Sequence, residues 1–364
     1  MRAAWDSMRD RLDQWTRSHV PGLQYVVVDA KETLFEYAGG WADVRNQTAM
    51  TLDATLMAYS MTKTVTAVAI LQLAEKNALG LDDRVERFLP FYCRYPITVR
   101  QLLDHTSGLP NPIPLRWVHL VEEDAGFDED AALARVVRAN PSPRTEPGQK
   151  FAYSNIGYWL LGKIVERAAA ISYTDYVRMH ILGPLNLSAV EMDFVIRHPE
   201  AHATGYLARY SLMNLLKRFV IDRRYWDGYD GRWLRLNPVY VDGPAFGGLV
   251  GGARGFRRIL QDQLASDSVL LCRKSREILE TRQTNGAGHP IPMTLGWHVG
   301  QSDGVNYFFK EGGGGGFHSE MRLYPTAAVG SVVMVNSTGF KSTPFLNRMD
   351  GAFVKGDLRG HTGS

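Results

Sequence analysis

Hydrophobic positions alternate near the start of the chain, recur every three or four residues through its middle, and alternate again near its end. The opening segment MRAAWDSMRDRLDQWTRSHVPGL is charged and amphipathic and predicts a helix. LQYVVVDA and LFEYAGG follow as a strand pair, with KET as their turn. In SMTKTVTAVAILQLAEKNALG the apolar residues take helical spacing until Gly80 ends the run. From about residue 85 to 200 the pattern is helical. TVRQLL opens on a T-x-x-Q capping box at Thr98 and Gln101, and SYTDYVRMHIL opens on S-x-x-D at Ser172. Between them, DEDAALARVVRAN and SNIGYWLLGKIVERAAA are amphipathic. GGLVGGARGFRRILQDQL is a glycine turn and a further helix. From Met293 to Asn336, TLGWHVG, VNYFFKEG, GFHSEMRLYP and AVGSVVMVN alternate like antiparallel strands.

Strands at both ends with helices between them predict an α+β fold. One antiparallel sheet is built from N- and C-terminal strands and flanked by helices, beside a mostly helical second lobe. The expected division assigns residues 1–84 and 245–364 to the sheet lobe and 85–244 to the helical lobe. No internal repeat and no long linker interrupts this plan.

The chain has 364 residues, beyond the ~250–300 at which single cores usually stop growing, so two closely packed lobes are expected. Net charge is +3 and basic residues are scattered, which argues against nucleic acid or an anionic membrane as the main partner. Cys93 and Cys272 are far apart and fit neither a disulfide scaffold nor a zinc site; both read as small buried hydrophobes. No secretory leader is visible and no apolar run approaches the ~20 residues that span a bilayer, so a cytoplasmic location is expected.

Candidate chemistry lies in two serines. GQSDG, residues 300–304, fits the G-x-S-x-G pattern of many esterases, which requires a sharp strand-to-helix turn under the serine. VNYFFKEGGGGG after Ser302 is a short aromatic strand running into glycines, and His361 sits in a glycine-rich tail. Ser302 therefore reads as a hairpin-turn residue. Ser60 is the stronger candidate. Ser60 and Lys63 form the chain's one S-x-x-K, and at a helix start this spacing puts the amine one turn along on the serine's face. The helix N-terminus adds unpaired backbone N–H groups where an oxyanion would form. FAYSNIGYW supplies Tyr153 and Asn155 at another helix start, and YFFKEGGGGGF supplies Lys310, Glu311 and Gly312 on a strand.

In that order, Ser60-x-x-Lys63, Tyr153-x-Asn155 and Lys310-x-Gly312 resemble the three motifs of the serine β-lactamase and penicillin-binding-protein superfamily. The tyrosine version resembles its class C β-lactamase and family VIII carboxylesterase branch. TVRQLLDHTSGLP, EPGQKFAYSN, GGLV and GGGGFHSEMRLYP read like supporting segments of the same family, so the likeness runs from about residue 20 to 340. It implies a serine hydrolase that forms an acyl-enzyme on Ser60 and needs no metal or organic cofactor. Tyr153 would be the base, its pKa lowered toward working pH by Lys63. Asn155 would position Lys63 and the substrate, and the backbone N–H groups of Ser60 and Gly313 would form the oxyanion hole.

Glu311 departs from the family, which usually has Thr or Ser there to bind a carboxylate. A carboxylate side chain turned into the cleft would favour a neutral small-molecule ester, of short to medium acyl length, over anionic lactams and peptides. Turned to Lys310 or to solvent, it would leave lactam binding open. The rival readings are a β-lactamase or D-amino-acid peptide or amide hydrolase at the same site, a non-catalytic penicillin-recognising protein, and an α/β-hydrolase using Ser302. Tyr206, Tyr210, Phe219, Tyr225, Trp226, Tyr229 and Trp233 could wall a substrate pocket or fill the core. His105 and His318 read as structural. Oligomeric state is not legible.

Overall fold

The computed structural model describes residues 2–92, 95–112, 117–215 and 222–355. Cys93, Phe219 and His361 lie outside these residues. The seven-stranded sheet is antiparallel throughout, with strands β1 (Gly22–Val28), β2 (Thr33–Asp43), β3 (Thr48–Ala49), β4 (His298–Ser302), β5 (Val305–Gly313), β6 (His318–Tyr324) and β7 (Val329–Val335). Their spatial order is β4-β5-β6-β7-β1-β2-β3. The two ends of the chain therefore meet at the centre, where Leu23 pairs with Val335 and Val28 with Gly330. This is the sheet expected from the alternating segments.

Its central strands are buried on both faces, which is why VVV and SVVMV run continuously apolar instead of strictly alternating. Leu23, Tyr25 and Val27 pack with Val333 and Val335 beneath helices α1 (Arg2–His19) and α5 (Ser342–Val354). Val26 and Val28 point the other way, into the larger core shared with helices α2 (Thr62–Glu75), α3 (Asn155–Ala169) and α4 (Ala253–Leu264).

Local signals hold in detail. Thr98 accepts from the Gln101 N–H and Gln101 returns the bond to the Thr98 N–H. Ser172 accepts from the Asp175 N–H. Residues 300–304 form a hairpin: Ser302 pairs with Val305, and Asp303 and Gly304 turn the chain at φ +49° and +78°. Two successive positive φ values are the geometry of a two-residue β-turn, and no helix follows. Ser302 thus lacks the turn that exposes a nucleophile.

Four expectations are corrected. α2 stops at Glu75, before Gly80, because Asn77 takes the left-handed conformation at φ +56°. TLGWHVG becomes a strand only at His298, since Gly296 turns at φ +104°. The middle of the chain also carries short strands: Tyr206–Ala208, Trp233–Leu236 and Trp226–Asp230 form one sheet, Val118–Leu120 pairs with Val239–Val241, and Met192–Asp193 joins Leu56–Met57 through Val250–Gly251. Segments of two to five residues are too short to show a period against helical surroundings. Cys272 is exposed, its N–H bonded to Glu75, and is not a core residue.

The architecture brings the end of β5 against the turn that precedes α2. A Cβ at Gly312 would lie 2.1 Å from the Ala58 carbonyl oxygen, so the third motif needs glycine to make this approach. Gly312→Ala must push strand and turn apart, at a cost of about 1–3 kcal/mol by the usual penalty for overpacking. A lowered thermal unfolding midpoint is expected; an unchanged midpoint contradicts the tight approach.

Candidate active site

Ser60 sits in a 3₁₀ turn, Tyr59–Met61, that leads directly into α2. Tyr59 holds φ at +46°, which is costly for a residue with a bulky side chain. The surroundings over-determine it. A Cβ at Gly314 would meet the Tyr59 ring at 2.4 Å, so the ring lies flat on bare backbone, and its hydroxyl donates to the Gly315 carbonyl at 2.7 Å. The glycine run in KEGGGGGF is the bed for this ring, and Ser60 is presented at the mouth of a cleft as a result.

That cleft is about 430 Å³. Ser60, Asn155, Gly313 and His318 line it, with Trp117, Leu207, Leu236 and Phe246 as an apolar wall. The aromatic block from residue 206 to 233 divides between the two readings left open above. Tyr225 lines the cleft, Tyr206 and Trp233 are buried in the core, and Tyr210 and Tyr229 are exposed.

The three motifs converge. Lys63 Nζ lies 2.9 Å from Ser60 Oγ, as the one-turn spacing predicts. The Tyr153 hydroxyl donates to the same Oγ at 2.9 Å. Ser154 caps α3 by accepting from the Gly157 N–H, and this cap fixes Tyr153 and Asn155 on either side of it. Asn155 Oδ1 accepts from Lys63 Nζ at 2.8 Å. The Phe246 carbonyl takes the amine's third contact at 2.6 Å.

Electrostatics correct one expectation. Lys63 is fully buried, and burial first, then the Lys310 charge, hold its amine well below the ordinary lysine pKa. Burial likewise pushes the Tyr153 phenol up, with the Glu311 charge adding to it, against the opposing pull of the Ser60 hydrogen bond. Lys63 therefore does not draw Tyr153 toward the phenolate. Burial of the phenol sets the direction of its shift.

Lys310 is buried and its Nζ has no hydrogen-bond partner among the described residues; it lies 5.2 Å from the Tyr153 ring centroid. Burial lowers its pKa to about 7. Glu311 does not turn to Lys310; its side chain is about half exposed to solvent. Its carboxylate lies 2.8 Å from Nε2 of His318, which lines the cleft. Its pKa is lowered, with the His318 hydrogen bond the largest cause.

His105, read as structural, accepts from the Ser154 N–H and packs its ring 4.3 Å from that of Tyr153. It stays neutral through burial. The Phe246 carbonyl and the ring of His298, which stacks on Tyr153, were not singled out by the sequence. A backbone acceptor leaves no side-chain signature, and His298 shows no feature beyond a place in a strand. Among the described residues no cluster of three or more His, Cys, Asp or Glu is placed to hold a metal ion, and no helix is long and apolar enough to cross a membrane.

The β-lactamase family model matches residues 8–352. Penicillin-binding protein 4* of Bacillus subtilis is 28% identical over 185 residues, 50% of this chain and 41% of that protein. Protein flp of Staphylococcus aureus strain MW2 is 33% identical over 198 residues, 52% of this chain and 38% of that protein. The chain thus spans about two fifths of the length of these curated relatives. Solved structures share the fold. The octameric penicillin-binding protein homologue from Pyrococcus abyssi has a TM-score of 0.77 at 23% identity, covering 96% of this chain and 77% of that one. EstCE1, a hydrolase with promiscuous acyltransferase activity, has 0.74 at 18%, covering 98% and 99%. D-amino acid amidase from Ochrobactrum anthropi SV3, complexed with D-phenylalanine, has 0.74 at 21%, covering 96% and 97%. A family match that takes in Ser60, Lys63, Tyr153 and Lys310 along with nearly all the rest of the chain means that it belongs to the β-lactamase family.

Proposed function

We propose that the chain hydrolyses small neutral carboxylic esters through an acyl-enzyme on Ser60. The observation that carries this reading is the Ser60 oxygen held 2.9 Å from a buried amine and 2.9 Å from a phenol. A serine hydroxyl needs a base before it can attack. Lys63 fits that role. Two of its three contacts, Asn155 Oδ1 and the Phe246 carbonyl, are acceptors that take N–H protons. In a neutral amine the remaining position is the lone pair, and it faces the Ser60 hydroxyl. Tyr153, kept protonated by burial, donates to the same oxygen from another side.

The steps follow from this arrangement. Ser60 Oγ attacks the ester carbon and its proton passes to Lys63. The carbonyl oxygen takes the charge and is held by the backbone N–H groups of Ser60 and Gly313, a kind of donor worth ~10²–10³ in rate each. Collapse expels the alcohol, which leaves with the Tyr153 proton, and the Lys63 ammonium makes good that loss. Water then releases the acid.

Preference for a neutral ester rests on the apolar wall of Trp117, Leu207, Leu236 and Phe246 and on the Glu311 carboxylate paired with the cleft-lining His318. A substrate carboxylate approaching the third motif meets a carboxylate. In a panel of p-nitrophenyl butyrate, nitrocefin and a D-alanyl amide, kcat/KM is expected to be at least about 100-fold higher for the ester, one methylene-scale contact being worth only ~10–200-fold in selectivity. Comparable nitrocefin turnover contradicts the preference.

Ser60→Ala is expected to lower ester kcat/KM by more than ~10³, in line with loss of a nucleophile, while Ser302→Ala stays within about twofold. The reverse pattern overturns the assignment. The pH profile has a defined sign. The active form carries neutral Lys63, so kcat/KM falls as pH drops through the depressed Lys63 pKa and is flat above it until Tyr153 ionises beyond its ordinary range. Lys310→Met removes a cation that depresses Lys63, so the acid limb should move to higher pH. A limb that stays in place or moves to lower pH contradicts the coupling.

A further inference from the structure

We propose that His318 is the general base of deacylation, with Glu311 as the residue that orients it. This rests on the Ser60 acyl-enzyme reading above and concerns its second half. Tyr153 donates to Ser60 Oγ and is the acid that protonates that oxygen as it leaves, Lys63 bonds the same Oγ, and the second nucleophile enters through the 430 Å³ cleft on which Ser60 opens. In the acyl-enzyme that oxygen is the ester oxygen, and both groups face its side. The cleft's titratable lining is Tyr59, Tyr225 and His318. Tyr59 donates to the Gly315 carbonyl and Tyr225 to the Val118 carbonyl, so both protons are committed. His318 is the one whose lone pair is open.

Hydrogen bonds fix which lone pair that is. Nε2 lies 2.8 Å from the Glu311 carboxylate and 3.3 Å from Ser342 Oγ. Glu311 can only accept. Ser342 sends its own proton to Glu320 at 2.6 Å and is therefore an acceptor toward the imidazole as well. Both partners demand a proton on Nε2, so the neutral ring carries its lone pair on Nδ1. No described residue bonds Nδ1. It faces Gly313, where a Cβ would lie 3.1 Å from it. Glycine at this position keeps the Nδ1 edge clear beside the backbone N–H proposed for the oxyanion hole. A carboxylate, an imidazole of fixed tautomer and an open nitrogen beside the reacting carbonyl make up the base half of a catalytic triad.

The step balances. A water oxygen bonds to the acyl carbon while its proton moves to Nδ1, and Glu311 stabilises the imidazolium. Collapse breaks the bond to Ser60 Oγ, which leaves with the Tyr153 proton. The phenolate is reprotonated from cleft solvent, and His318 releases its proton to the same solvent. A small alcohol in place of water gives acyl transfer by the same route. Glu311 thereby gains a role that explains a carboxylate where the family usually has a hydroxyl.

The test is stopped-flow turnover of p-nitrophenyl butyrate, with intact-mass detection of the acylated protein, on wild type, His318→Gln and Glu311→Gln. For His318→Gln the deacylation rate constant should fall about 10²-fold, the low end for a lost general base, while the acylation rate constant stays within about twofold. A butyryl adduct on Ser60 should accumulate. Glu311→Gln, half-exposed and least able to disturb folding, should fall about 10-fold in the same constant and also accumulate adduct; a merely structural role does not single out one half of the cycle. Acylation and deacylation slowed together in both variants, or neither slowed, overturns the inference. Full ester turnover by Ser60→Ala removes the acyl-enzyme itself, and is a separate result from normal acyl-enzyme kinetics in the two variants.

Discussion

A lysine amine buried without a carboxylate partner is the constraint on which the site depends. Every hydrogen bond of Lys63 Nζ among the described residues is to a neutral oxygen: Ser60 Oγ, Asn155 Oδ1 and the Phe246 carbonyl. Burial strips solvation from the ammonium, and no opposite charge restores it, so the neutral form is favoured. Had an aspartate stood at residue 155, the same amine would be a stabilised cation and useless as a base. Asparagine supplies the geometry of a carboxylate without its charge. Lys310, unpaired and buried close by, makes a second charge still less favourable.

The fold supplies what that constraint requires. Ser60 and Lys63 lie on one short run of backbone, but Asn155, Phe246 and the glycine bed come from distant segments. The central pairing of β1 with β7 joins the two ends of the chain and carries β5 to the turn at Ala58. Strain at Tyr59 persists because its ring and hydroxyl are held by Gly314 and Gly315, in the glycine run that follows the third motif. That run is therefore a structural partner of the nucleophile's turn as well as a wall of the cleft.

What was legible in the sequence was local. S-x-x-K announces its contact because three residues make one helical turn, and the capping box at Thr98 does the same. Asp303-Gly304 declares a hairpin and so disposes of Ser302. What was not legible depends on tertiary burial. The sign of the Tyr153 shift follows from desolvation, which no spacing reports. Glu311 and His318 are neighbours only because β5 and β6 form a hairpin in the register that sets Gly313 against His318. Short strands in the middle of the chain were lost for want of enough residues to show a period.

The most direct test of this account is a carbon-detected NMR titration of Lys63, with its side chain labelled and Lys63→Arg used to assign the signal. The account predicts a midpoint well below the ordinary lysine value near 10.4, so that the amine is largely uncharged under working conditions. A midpoint at or above the ordinary value would mean that Lys63 is a cation beside Ser60, and the base would have to be sought elsewhere.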